Sequence, residues 1–164
     1  MDPVTETPTE PVDYAAINAV WAGLLGGTLA LTRGTAPESK ELPVYALAAF
    51  AMTKAISREK VGTWARAPVV DEREGRPKGS RLRYAAGELL TCTRCLGTWS
   101  SLGLVGLHAA RPREARIVAT VLATAGLNDW LQSGFSWVCS KANAEKAQAE
   151  LKEQDRDARF SALP

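Results

Sequence analysis

Eighteen consecutive residues, Ala15 to Thr32 (AAINAVWAGLLGGTLALT), carry no charged side chain. That length is near the lower limit of the roughly 17 to 25 apolar residues a helix needs to cross a bilayer. Three further apolar blocks follow, Pro43 to Ile56, Leu96 to Ala110 and Ile117 to Val138, whereas charges crowd both ends and the stretch from Arg58 to Arg83. A water-facing bundle of amphipathic helices does not need such a partition. The pattern predicts an all-α, integral membrane protein of about four helices, with three to four spans and a solvent-exposed helical C-terminal tail. It divides into an acidic disordered tail over residues 1–14, a helical membrane domain over 15–139 with a basic loop at 58–84, and a charged helical tail over 140–164.

The first 14 residues hold four acids, three prolines and no Lys or Arg, the reverse of a secretory leader, so the first apolar block is expected to be retained. Gly23 and Gly27 stand four apart in it, a spacing that lets a second helix approach closely in lipid, although small residues are common throughout this chain. Lys54 lies one turn from the end of the second block, where it either snorkels to the interface or marks an amphipathic surface helix. From Arg58 to Arg83 there are eight Lys or Arg against four acids, with Pro68, Gly75, Pro77 and Gly79 interrupting any helix, which reads as a solvated loop. Excess Lys and Arg in a short loop marks the cytoplasmic side, so the sequence predicts a multi-pass membrane protein with both termini in the cytoplasm. The three Arg between Arg111 and Arg116 weigh against that orientation. The partners expected are the lipid bilayer and a protein or second copy of the chain. A net charge of +2, with only Trp64 and Tyr84 as stacking faces near the basic loop, gives no reason to expect nucleic acid.

Candidate chemistry is concentrated in Gly87 to Trp99, GELLTCTRCLGTW. Cys92 and Cys95 lie three apart, so on a helix both sulfurs share one face. A helix N-terminus and Arg94 lower the expected thiol pKa below about 8.5, and Glu88 opposes them. Three cysteines with an incomplete second pair do not make a secreted disulfide framework. Zinc takes four ligands, and the chain offers Cys92 and Cys95 with Cys139 or Glu88 as further donors. His108 is about 20 Å along a helix from Cys95 and cannot complete that set. The pair therefore reads in three ways: a redox dithiol, half a metal site, or small packed residues. Gly97 fits a close helix contact better than a phosphate loop. Asp129, beside Asn128 inside the fourth block, is either a packed polar group or part of an ion or proton path. No hydroxyl, His and acid combine into a hydrolase triad.

Together with the upstream run ALAAFAMTKAISREKVGTWARAPVV and the downstream run TVLATAGLNDWLQ, this motif resembles the bacterial membrane proteins of domain of unknown function 1360. The elements carrying the resemblance are Thr53-Lys54, Arg66-Ala67-Pro68, Gly87-Glu88-Leu89 and Cys92 through Trp99, between about Leu47 and Gln132. Val69 and Val70 depart from the family's pattern, in which an aromatic residue commonly follows the proline. The resemblance implies a small multi-pass protein of the bacterial inner membrane, with counterparts in phages, and no established activity. The function expected is a structural or adaptor component without catalysis and without a cofactor. The alternatives are a thiol-redox or zinc protein using Cys92 and Cys95, and a small ion or proton conductor using Asp129.

Overall fold

The computed structural model describes residues 7–32 and 36–161. Its helices are α1 (Pro11–Thr32), α2 (Leu42–Ser57), α3 (Thr63–Arg66), α4 (Leu82–Thr91), α5 (Thr93–Ala110) and α6 (Pro112–Ser161). A two-stranded antiparallel hairpin, β1 (Val70–Asp71) with β2 (Arg76–Pro77), pairs Val70 with Pro77 and Asp71 with Arg76. The chain divides into a first unit, Met1–Gly126, and a second, Leu127–Pro164.

The expectation of an integral membrane protein is corrected here. Among the described residues no helix is long and apolar enough to cross a membrane, so the four spans, the multi-pass topology, the inner-membrane location and the sidedness of the termini all fall. The physical reason is what the apolar blocks are made of. Helix α1 opens with Asp13 in its first turn and includes five Ala, three Gly and an Asn. Helix α2 has only 16 residues and carries Lys54 in its last turn. Helix α5 takes in Arg94, and the apolar part of α6 is broken by Asn128, Asp129 and Gln132. An ion or proton conductor needs a barrier to conduct across, so the Asp129 reading falls with the spans.

Small residues serve a different purpose in the first unit. Tyr45, Ala48 and Ala49 of α2, Leu104 of α5, and Ala119 and Ala123 of α6 form a buried cluster, with Ala48 and Ala119 fully enclosed. Alanine at i and i+4 brings the helix backbones close, the contact that ridges and grooves make when side chains are short. A Cβ on Gly126 would stand 3.2 Å from the Leu47 carbonyl oxygen, extending that close approach by another turn. Gly23 and Gly27, by contrast, have nothing within 4 Å of where a Cβ would be.

Two buried polar bonds set α2 and α5 antiparallel. Tyr45 Oη lies 2.6 Å from His108 Nδ1, and Thr53 Oγ1 donates to Ser100 Oγ at 2.9 Å. Pairing satisfies groups that would otherwise be costly to bury. Pro112, the first residue of α6, sits where a missing N–H is harmless, and Arg116 joins Glu41 at 2.7 Å ahead of α2.

The segment expected to be a solvated loop is folded. Arg66 is buried, and its guanidinium forks onto Glu72 at 2.9 and 3.0 Å while also donating to the carbonyls of Ile56 and Glu59. Three successive carbonyls then receive donors: Ala67 from Lys78 Nζ, Pro68 from the Arg83 fork, and Val69 from the Lys78 backbone N–H. The prolines and glycines do prevent a continuous helix. They leave backbone carbonyls unpaired, and the cations of the same segment satisfy them.

The boundary of the expected N-terminal tail also differs. Residues 1–6 lie outside the described residues, but α1 begins at Pro11, and Asp13 is buried where it accepts the Glu10 N–H at 2.8 Å and meets Arg81 at 3.3 Å. Arg81 holds φ +56°, a conformation uncommon for a residue with a Cβ, and donates its N–H to the Pro8 carbonyl at 2.7 Å. The second unit is the helical stretch from Leu127 onward. Its described side chains are almost all exposed, and Lys141 Nζ lies 5.1 Å from the Trp137 ring centroid.

Candidate functional site

Helix α4 stops at Thr91 because Cys92 adopts extended backbone angles, φ −88° and ψ 104°, and α5 starts at the next residue. Cys92 is thus the N-cap of α5, and its sulfur accepts the Cys95 backbone N–H at 3.3 Å. Cap geometry, rather than a shared helical face, brings the two thiols together, with Sγ 2.6 Å from Sγ. Both cysteines are free and half-buried.

The pair is electrostatically unequal. Desolvation pushes the Cys92 thiol up, but the Cys95 thiol, the N–H groups of Cys95 and Arg94, and the Arg94 charge together hold it below the ordinary thiol range. Cys95 is pushed up to about 11, first by burial and then by its bond to Cys92, with the charge of Glu88 adding to the rise. The opposition between Arg94 and Glu88 is therefore divided between the two sulfurs. Arg94 favours the Cys92 thiolate, and Glu88 adds a smaller push to the burial and the Cys92 sulfur that keep the proton on Cys95.

Neighbouring elements position this junction. Gly87 is buried where a Cβ would come 2.6 Å from the Val69 carbonyl oxygen and 2.8 Å from Pro77 Cβ, so α4 can lie against the hairpin only without a side chain there. Glu88, one turn before Cys92, accepts a short hydrogen bond from Tyr14 Oη, and Thr9 Oγ1 lies 3.1 Å from the same hydroxyl. The bond to Glu88 holds the Tyr14 proton and raises its pKa above the usual phenol value. Thr91 returns its hydroxyl to the Gly87 and Glu88 carbonyls at 3.0 and 3.2 Å, closing the last turn of α4.

A family model described as a protein of unknown function (DUF1360) matches residues 44–135, more than half of the chain. The chain belongs to the DUF1360 family. No curated protein and no solved structure matches it. In this DUF1360 protein the matched residues run from the start of α2 into α6 and include both cysteines, Arg66 and the hairpin.

The other residues singled out in the sequence are dispersed. Gly97 follows the cysteines on α5 with room around it, a Cβ there lying 4.0 Å from Thr53 Oγ1. Trp99 is half-buried two residues further on. Asn128, Asp129 and Cys139 all belong to the second unit, where Asn128 is exposed and the other two are half-buried. Among the described residues no three of His, Cys, Asp or Glu gather where they could hold a metal ion.

Sequence reasoning missed the buried role of Arg66 and the Tyr45 and His108 pair. For Arg66 there was a signal, since it opens the Arg-x-Pro element and precedes by six residues an acid, Glu72, that it could reach. Nothing local ties Tyr45 to His108, which are 63 residues apart.

Proposed function

We propose that this protein carries out thiol–disulfide exchange through Cys92 and Cys95, with Cys92 as the attacking thiolate and Cys95 as the resolving thiol. The observation carrying this reading is the placement of both sulfurs within 2.6 Å of each other at the junction of α4 and α5, with Cys92 capping α5. Cys92 attacks one sulfur of a partner disulfide, forming a mixed disulfide and expelling the other sulfur as a thiolate, which takes up a proton. Cys95 then loses its proton and attacks Cys92, releasing the second partner thiol. The dithiol is oxidised by two electrons, and the partner disulfide is reduced to two thiols. The depressed Cys92 and elevated Cys95 pKa values support this assignment of roles.

The test is trapping with oxidised glutathione. Cys95→Ser is expected to accumulate a mixed disulfide on Cys92, Cys92→Ser to form little, and the native pair to close an internal disulfide at a potential between about −120 and −300 mV. Failure of the native pair to close anywhere in that range would refute the reading. The pH profile of alkylation supplies the sign. Cys92 should react at a lower pH than an ordinary thiol of about 8.5, and Cys95 only as the pH nears about 11. Arg94→Gln should move the Cys92 midpoint upward, because it removes a charge that favours the thiolate.

A structural or adaptor role is supported by a different observation. In the second unit Leu127, Trp130, Leu131, Phe135 and Val138 are each at least half exposed and recur at three- and four-residue intervals, the spacing of a helix–helix seam. We infer that a second copy of the chain packs there. Sedimentation would then show a dimer that Leu131→Glu with Phe135→Glu dissociates, and a native chain that sediments as a monomer at high concentration would rule this out.

A further inference from the structure

A hollow of about 750 Å³ lies among α1, α2 and α5, within the size range of small-molecule sites. Trp21, Leu25, Phe50, Leu102 and Val105 make its walls mainly apolar. Its lining also includes Lys54 and Arg94 and contains no carboxylate.

The register of the helices gives this hollow a direction. Since Thr53 pairs with Ser100 and Tyr45 with His108, the antiparallel α2 and α5 place Lys54 and Arg94 at one end and Ala46 and Val105 at the other. Helix α1 runs alongside, with Thr28 Oγ1 3.4 Å from where a Cβ on Gly106 would stand. Trp21, two turns earlier, therefore falls toward the cationic end, and its buried indole N–H has no acceptor among the described residues. Lys54 reaches Glu59 at 3.5 Å. Among the described residues no carboxylate pairs with Arg94, which is exposed at the first turn of α5.

A cavity that is apolar along its length and cationic at one end complements a molecule with one anionic head and one hydrocarbon chain. We propose that the hollow binds a free fatty carboxylate, with the chain along Phe50, Leu25 and Val105 and the head on Arg94 and Lys54. Arginine presents a planar fork matched to a carboxylate, and lysine adds a point charge. The proposal does not rest on the thiol reading, because neither cysteine lines the hollow, although Arg94 also acts on Cys92.

The experiment is calorimetric titration of the full-length chain with palmitate below its micelle concentration, with hexadecanol as the neutral counterpart. Palmitate should bind one per chain, and hexadecanol at least tenfold more weakly. Arg94→Glu should weaken palmitate at least tenfold while leaving the helical circular dichroism unchanged. Gly97→Leu, which places a side chain in the hollow with no atom closer than 4.0 Å to its Cβ, should abolish binding. Equal affinity for hexadecanol, no palmitate binding, or indifference to both substitutions would overturn the proposal. If Gly97→Leu instead breaks a dimer without changing palmitate uptake, the hollow is a protein interface and the proposal also fails.

Discussion

Two stretches of this chain look alike in composition and behave differently. Residues 58–83 and residues 140–161 are both rich in charge and poor in large apolar residues. The first is folded around a buried arginine, and the second is a helix whose described side chains lie almost entirely in solvent. The proportion of charged residues does not separate them. The difference is in the backbone: prolines and glycines in the first stretch turn the chain and leave carbonyls without helical partners, whereas a continuous helix satisfies its own. Only the first stretch therefore offers fixed acceptors, which bury Arg66 and hold Lys78 and Arg83 against the surface. Cations in irregular segments fold the chain where unpaired carbonyls await them.

The sharpest way to break this comparison is Arg66→Ala. Removing the guanidinium leaves the Ile56 and Glu59 carbonyls and the Glu72 carboxylate without their donor, and a loss of about 3 kcal/mol in denaturant-measured stability is expected. Arg66→Lys should recover part of it, since lysine cannot reproduce the fork. Next is Gly87→Val, which drives a side chain into the Val69 carbonyl and Pro77 and should cost about 2 kcal/mol. Arg83→Ala should cost about 1 kcal/mol or less, because its bonds to the Pro68 carbonyl lie in solvent. Lys146→Ala, on the exposed helix, should change stability by less than about 0.5 kcal/mol. If Lys146→Ala matched Arg66→Ala in thermal denaturation, the contrast between the two stretches would be lost.

Much of the candidate site could be read in the chain itself. The spacing of Cys92 and Cys95, the nearby Arg94 and Glu88, and the glycine at position 87 all pointed to one junction, because chemistry at that range is set by neighbours in sequence. The unequal thiols were less accessible. Arg94 and Glu88 act in opposite directions, and which sulfur each one governs depends on the break at Cys92 and on the bonds formed there. Four blocks low in charge suggested spans when their small residues were counted as generic apolar content. In the fold, Ala48, Ala49, Ala119 and Ala123 are contact surfaces between helices, and among the described residues no helix is long and apolar enough for a crossing.

By itself, the sequence determined that this protein is helical, belongs to a recognisable family pattern and concentrates its reactive groups between Gly87 and Trp99. Those properties follow from composition and from spacings of a few residues. Tertiary structure alone decided that Arg66 lies inside, that Tyr45 meets His108, and that Lys54 and Arg94 share the cationic end of an apolar hollow. Each of these joins groups whose separation in space depends on how α2, α5 and the hairpin pack. Short-range propensity carries no information about contacts of that kind.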